Sequence, residues 1–251
     1  MNKDYFSTQA QAYNTFRPHY PDALFDYLRA DLDRPAVILD CATGNGQAAV
    51  GLSSDQIKVV GTDLSFNQLN NAPNVDTIDW VQATVEQLPL KSQSVDLITI
   101  AQALHWFEFE SFYAEAHRVL KPRGLIAAWT YSLLAVCPKF GQPIEEVIRW
   151  FYKDIVGEYW PPERRWVDDE YRSIPFPFNE LKPPRFAIEI SWNRDTLLGY
   201  ISSWSAVQLY QAAVGKNPIP ELESRLSDVW SDTDQNLSFS WPLSLRIGYN
   251  N

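Results

Sequence analysis

The stretch Val37-Ile38-Leu39-Asp40-Cys41-Ala42-Thr43-Gly44-Asn45-Gly46-Gln47 constrains this chain more than any other. Three apolar residues run into an acid, the chain turns through Gly44 and Gly46, and an apolar helical segment follows. That order describes a strand, a glycine turn and a helix. Glycine lets the backbone come close to a ligand. The first N–H groups of the helix point back at the same place, with the positive end of its dipole. A second short strand, 57–63, then delivers Asp63, 17 residues beyond Gly46. An acid at that position can accept hydrogen bonds from both ribose hydroxyls of a nucleotide-like ligand.

Gly44-x-Gly46-x-x-Ala49 fits the dinucleotide fingerprint. Asp40-x-Ala42 in front of it weighs the other way. A carboxylate just ahead of the loop has little use beside a pyrophosphate and good use beside an aminoacyl cation. The pair therefore favours S-adenosylmethionine (SAM), with Asp40 expected to meet a cationic group. A tight strand-to-helix turn without a ligand is the bland alternative.

Strands are expected at 37–40, 57–63, 77–82, 95–101 and 124–131, with helices at 46–53, 65–71 and 109–120. Pro21 and Asp22 open an earlier helix, with Leu24, Phe25 and Leu28 on one face. Runs such as Val95-Asp96-Leu97-Ile98-Thr99-Ile100 are short and mostly apolar, as in strands covered on both faces. Alternation of this kind predicts an α/β fold with a doubly wound, mostly parallel sheet. The rhythm breaks after Tyr131. Residues 137–184 hold eight prolines interleaved with Trp150, Phe151, Tyr152, Tyr159, Trp160 and Trp166, and read as an inserted cap. A strand returns at 185–192, and helices follow at 194–214 and 220–230. Residues 237–247 alternate every second position, the pattern of a half-buried antiparallel strand, with Pro242 suggesting an edge or bulge.

A chain of 251 residues suits one α/β domain carrying an insertion. Its net charge of −10 and lack of any basic run argue against nucleic acid as a partner, although one local arginine can still hold a small anion. No apolar run approaches the ~18 residues of a membrane span. Cys41 and Cys137 form neither a disulfide framework nor a metal spacing, so no metal is expected, and a reduced, cytoplasmic setting is the simplest reading.

Six blocks in order carry a resemblance: Leu39–Gly46, Gly61–Ser65, Glu86–Leu90, Ser94–Ile98, Ala101–Phe107 and Glu115–Gly124. Together they resemble a class I SAM-dependent methyltransferase of the type 11 kind. The opening Tyr13–Pro21 and the later Gly199–Ser205 are similar to the trans-aconitate methyltransferase-like group. The resemblance implies a Rossmann-like, seven-stranded sheet with an antiparallel last strand. It implies Asp40, Gly44 and Gly46 around the methionine part of SAM and Asp63 with Leu64 at the ribose. Ala101 and Gln102 would line the cofactor near its sulfonium. Tyr13 and Arg17 would come from an N-terminal flap within residues 1–30, Arg17 toward the cofactor carboxylate. Ala42 replaces the first glycine of the usual loop. Thr84 stands where many members place an Asp for the adenine amino group, which passes that contact to backbone groups or to Val85.

Methyl transfer from a sulfonium is an in-line displacement that needs an aligned, dry acceptor. A carboxylate acceptor needs no base; a phenol, amine or carbon acceptor can need one. His105 follows the fourth strand at its carboxyl end, where ligands bind in such sheets, and can orient an acceptor or take its proton. Trp106 beside it, Trp129 and Tyr131 at the end of the fifth strand, of which only one need face the pocket, and His19 from the flap are candidates for the acceptor pocket. Arg164 and Arg165 can clamp a carboxylate, or pair with Glu163, Asp168 or Asp169. The favoured expectation is O-methylation of a small carboxylic acid. A bulkier apolar acceptor such as a quinone, lipid or polyketide-like compound suits the aromatic cap equally. A SAM-binding protein without catalysis is a rival of a different class, and an NAD-dependent oxidoreductase is a weaker rival among enzymes.

Overall fold

A computed structural model describes residues 18–136 and 141–250, so Tyr13, Arg17 and Cys137 lie outside the described residues. Strands β1 (Ala36–Cys41), β2 (Ile57–Asp63), β3 (Ile78–Gln82), β4 (Val95–Ala101) and β5 (Leu120–Thr130) pair in parallel in the order β3-β2-β1-β4-β5. Strands β6 (Ala135–Val136), β7 (Asn179–Glu180) and β8 (Phe186–Trp192) all pair antiparallel with β9 (Leu237–Tyr249), which is itself antiparallel to β5. The resemblance implied seven strands, and among the described residues the sheet has nine. Seven of them have five residues or more. The two extra, β6 and β7, are two-residue additions that the 13 residues of β9 leave room for beyond β5 and β8.

Pro242 is internal rather than at an edge. It pairs in register with Ala187 of β8, and on the other side it falls in the gap between the β6 and β5 pairings, at a point with no ladder partner there. The alternation of β9 buries Leu237, Phe239, Trp241 and Leu243, as a strand with one packed face requires.

Two apolar cores sandwich the sheet. Helices α1 (Asp22–Arg29) and α2 (Gln47–Leu52) cover one face, where Leu24, Phe25 and Leu28 pack as their spacing predicts. Helix α3 (Phe66–Asn70) follows β2, and α4 (Phe109–Val119) covers the other face with Phe112, Ala116 and Val119. From α4, Glu115 accepts the Leu88 N–H (2.9 Å) while Arg118 donates to the Leu88 and Leu90 carbonyls, tying down the loop after β3.

The insertion crosses the sheet instead of sitting on it as one lid. Its first part, with α5 (Gly141–Trp150), adds Ile144, Ile148, Phe151 and Val156 to the core on the α1 side. Its second part, with α6 (Arg164–Asp168), adds Val167, Tyr171, Ile174 and Phe178 to the core under α4. Arg246 of β9 pins the crossing through the carbonyls of Tyr171 (3.0 Å) and Ile174 (2.5 Å) and an ion pair with Glu180. The expected helix over 194–214 is two helices, α7 (Arg194–Ser202) and α8 (Ser205–Val214), followed by α9 (Ile219–Val229). The break at Trp204, whose backbone is extended, turns that ring toward the insertion.

Among the described residues no helix is long and apolar enough to cross a membrane, and no cluster of three or more His, Cys, Asp or Glu could hold a metal.

Candidate active site

The carboxyl ends of β2, β1, β4 and β5 stand side by side, and each contributes to one crevice. At the end of β1 the loop runs through Ala42, Gly44 and Gly46, all at positive φ (51°, 58° and 86°). Ala42 therefore holds the left-handed conformation that glycine normally serves, at a cost of roughly 1 kcal/mol. A Cβ on Gly44 would meet nothing within 4 Å, so this residue faces open space. A Cβ on Gly46 would lie 2.3 Å from the Trp80 ring.

Asp63, ending β2, accepts the Gly44 N–H (2.9 Å) through one oxygen and the Ser65 N–H (2.8 Å) through the other. It thus locks the β1 and β2 loops together. Leu64 is exposed beside it, while Val85 is buried and Thr84 half-buried in the loop after β3.

Asp40 corrects the expectation that it meets a cation. It is 1 % exposed, and its carboxylate takes the Thr43 hydroxyl (2.5 Å) and the Thr99 hydroxyl (2.7 Å) beneath the loop. It organises the turn from below. Burial pushes its pKa up to about 6, against the lowering effect of the Thr43, Thr99 and Ala49 hydrogen bonds. A raised carboxyl pKa means that the folded state holds the proton more tightly. The associated stability is complete below the unfolded value near pH 4 and is lost as pH rises through about 6. At ~1.4 kcal/mol per pH unit the expected loss is on the order of 2–3 kcal/mol. Asp40→Asn should flatten that segment of the stability curve in denaturant titrations at stepped pH. An unchanged slope between pH 4 and 6 would remove Asp40 as its source.

Next to the loop, β4 ends in half-buried Ala101 and then Gln102, at φ 55°. Gln102 donates to the Tyr131 carbonyl (3.0 Å) and accepts from the Thr130 hydroxyl (2.6 Å), so the β4 and β5 ends are crosslinked. A cavity of about 870 Å³, its open mouth included, begins here and runs under the insertion. Its walls include Gln102, His105 and Trp106 from the β4 side and Tyr131 after β5. Tyr152, Trp160 and Arg164 come from the insertion, and Tyr200 and Trp204 from the α7–α8 corner. Trp204 lies 5.7 Å from Trp160 and 5.8 Å from Tyr152, ring centre to ring centre, which closes the box.

Arg164 is the cation of this cavity wall. Its Nε donates to the Tyr152 hydroxyl (2.8 Å) and to Asp168 (3.2 Å), and its plane lies over Trp160 at 4.6 Å. Of the two expected roles the structure shows the pairing: Asp168 meets Nε, and among the described residues no hydrogen bond engages the Nη edge. Burial raises the Tyr152 phenol well above its ordinary range, so it stays a neutral O–H.

Three pocket expectations fail. Trp129 is fully buried in the core, ring against ring with Tyr20 at 5.4 Å, because its position on β5 faces α1 below the rim. Tyr131, two residues on, reaches the cavity instead. Arg165 is exposed and stacks on Trp166 at 4.4 Å, since the α6 turn sends it away from Arg164. His19 is exposed and faces Gln47 (3.2 Å) at the start of α2 rather than the acceptor cavity. One residue was missed entirely. Tyr171 Oη lies 2.7 Å from His105 Nδ1, and at a sequence separation of 66 no local pattern could announce the pair.

The crevice fits a nucleoside-type cofactor: Gly44 presents bare backbone to open space, and Asp63 offers two oxygens held from behind. A parallel sheet with an antiparallel end, this loop and an adjoining acceptor cavity define a class I SAM-dependent methyltransferase, with SAM as its cofactor. The chain belongs to the methyltransferase family: a methyltransferase-domain model matches residues 39–128. It is 34 % identical over 233 residues to a Dictyostelium discoideum protein named as a methyltransferase, covering 92 % of this chain and 88 % of that one. An uncharacterised methyltransferase of Schizosaccharomyces pombe is 31 % identical over 129 residues, 49 % of this chain and 50 % of the relative. Among solved structures, a protein from Anaeromyxobacter dehalogenans that is named as a type II methyltransferase is similar with a TM-score of 0.85 and 36 % identity, over 94 % of this chain and 98 % of that one.

Proposed function

We propose that this enzyme transfers a methyl group to an oxygen of a small carboxylic acid, held by Arg164 inside the aromatic box. The observation that carries the reading is the guanidinium on the cavity wall. Its Nε is occupied by Tyr152 and Asp168, and among the described residues no hydrogen bond engages its Nη edge. Such an edge matches a carboxylate in bidentate fashion. The surrounding rings of Trp106, Tyr131, Trp160 and Trp204 give the acceptor's carbon skeleton an apolar wall and limit water.

In this reading Asp63 and Leu64 hold the ribose of SAM, and Gly44 and Gly46 its methionine part. Thr84 and Val85 flank the adenine, and Ala101 and Gln102 lie near the sulfur. Bound SAM supplies a methyl carbon on a positively charged sulfur, which an aligned oxygen can attack directly. The protein's part is then to align, to desolvate and to hold charge. The chain acts as one domain, with residues 137–184 forming the acceptor side. A small molecule rather than a nucleic acid suits a net charge of −10. The buried free thiol of Cys41 suits a cytoplasmic setting.

The test is a panel of small mono- and polycarboxylic acids incubated with isotopically labelled SAM, followed by mass analysis of the products. Arg164→Met should raise the acceptor KM roughly 10- to 100-fold, the range for one charge-assisted hydrogen-bonded contact, with kcat much less affected. An unchanged KM, or equal turnover of acceptors without a carboxylate, would overturn the reading.

A further inference from the structure

We propose that Asp168 is a positioning residue that acts on the acceptor through Tyr152 and Arg164: it fixes the guanidinium end-on to the cavity and offsets part of its charge, so that the carboxylate is aimed without being held too tightly to react. This deepens the carboxylate reading above and rests on it. Asp168 stands behind Arg164, one helical turn on, while Arg164 and Tyr152 line the cavity.

Three atoms close a ring here, and the direction of every bond in it is determined. Arg164 Nε can only donate, and does so to Tyr152 Oη (2.8 Å) and to Asp168 Oδ1 (3.2 Å). Tyr152 Oη, accepting from Arg164, gives its own proton to the same Asp168 oxygen (2.7 Å). Burial holds that phenol above its ordinary range, so it stays a donor. The guanidinium also lies over the Tyr152 ring at 5.3 Å and the Trp160 ring at 4.6 Å, and the Trp160 indole N–H binds the Tyr152 carbonyl (3.2 Å). With Nε engaged, the edge made of Nε and one Nη cannot take a carboxylate at two points. The end made of both Nη groups is the geometry left for a bidentate grip.

Helix stability does not explain Asp168. It is the last residue of α6, where the carbonyl end disfavours an anion, and cation before anion is the weaker order for a pair four residues apart. The chemistry of the acceptor supplies a reason. The acceptor enters as an anion and leaves as a neutral ester: one oxygen lone pair forms the new O–C bond, the electron pair of the broken S–C bond stays on the sulfur, and no proton moves. A cation that grips the carboxylate therefore stabilises the ground state more than the transition state, which lowers KM and slows the step. Asp168 removes part of that excess while keeping Arg164 in place.

A 1H–15N spectrum of the protein without acceptor reads the Arg164 Nε–H, with Arg164→Met identifying its signal. The expected signal is protected from exchange with water. Tyr152→Phe and Asp168→Leu each remove one partner of Nε, and in both the signal should shift or be lost. Its absence in the wild type, or an unchanged signal in either variant, overturns the positioning. Kinetics with the panel acid of highest kcat/KM separate position from charge. Tyr152→Phe keeps the ring and should raise KM about 10-fold. Asp168→Asn keeps an oxygen for Nε and for Tyr152 but removes the charge. It should lower KM and kcat together, each about two- to fivefold, a small change because the Asp168 side chain is 44 % exposed. A KM that rises in Asp168→Asn, or a kcat that does not fall, overturns the charge offset. If no carboxylic acid in the panel is methylated, the carboxylate reading fails, and the spectra still decide whether Tyr152 and Asp168 hold Arg164.

Discussion

A Gly46→Ala variant is expected to lose detectable binding of S-adenosylhomocysteine and to melt well below the wild type. Two costs coincide at this residue. Its φ of 86° lies in the region that L side chains avoid, and an added Cβ would stand 2.3 Å from the Trp80 ring. Trp80 has little freedom to yield. Its ring lies equally close to Gly61, where a Cβ would approach to 2.5 Å, and its indole N–H is fixed to the Pro73 carbonyl (3.1 Å). Strain of ~1–2 kcal/mol and overpacking of ~1–3 kcal/mol together predict a loss of about 2–5 kcal/mol. At ~2–4 °C per kcal/mol this lowers Tm by roughly 4–20 °C. Gly44→Ala is the control. Its φ of 58° is one that Ala42 already tolerates at 51°, and its Cβ would meet open space. That variant should melt within a few degrees of wild type yet bind the ligand poorly, because the added methyl projects where the cofactor belongs. Equal losses of stability in the two variants would show that Trp80 is not the reason for Gly46.

Asp63→Ala is expected to abolish the thermal stabilisation given by S-adenosylhomocysteine. A ligand that binds only the folded state adds RT ln(1 + [L]/Kd), about 2.7 kcal/mol at 100-fold excess over Kd. Removing the carboxylate frees the Gly44 and Ser65 N–H groups it restrains and, on the proposed assignment, deletes the acceptor for the ribose hydroxyls. Charged hydrogen bonds of ~1.5–3 kcal/mol each predict a Kd increase of 100-fold or more. Asn at this position keeps the shape but turns an N–H donor toward one of those backbone donors, so Asp63→Asn should fall between. The comparison is a thermal shift series over ligand concentration, with NADH as a negative control. A full shift in Asp63→Ala would contradict the ribose assignment, and a shift by NADH alone would return the dinucleotide reading.

The cofactor half of the site was legible because its signals are local. A strand, a glycine turn and a following acid occupy 27 consecutive positions, 37–63, and the backbone conformations they require are written into residue type at Gly44 and Gly46. Asp40 was legible as important and wrong in role. The pattern marks an acid at a strand end, while its inward orientation depends on Thr99, which reaches it from β4 across 59 residues. Trp129 and Tyr131 show the same limit: both end β5, and only the depth of the rim sends one into the core and the other into the cavity.

The amino-acid order alone determined the alternation of strands and helices, the glycine loop, Asp63 and the aromatic character of the insertion, because each follows from backbone preference or from a period within one segment. The tertiary structure decided that Arg164 and not Arg165 faces the cavity, that Tyr171 stands behind His105, and that Trp204 meets Trp160. Those contacts join segments tens of residues apart, and their geometry exists only once the two cores have fixed how the insertion crosses the sheet.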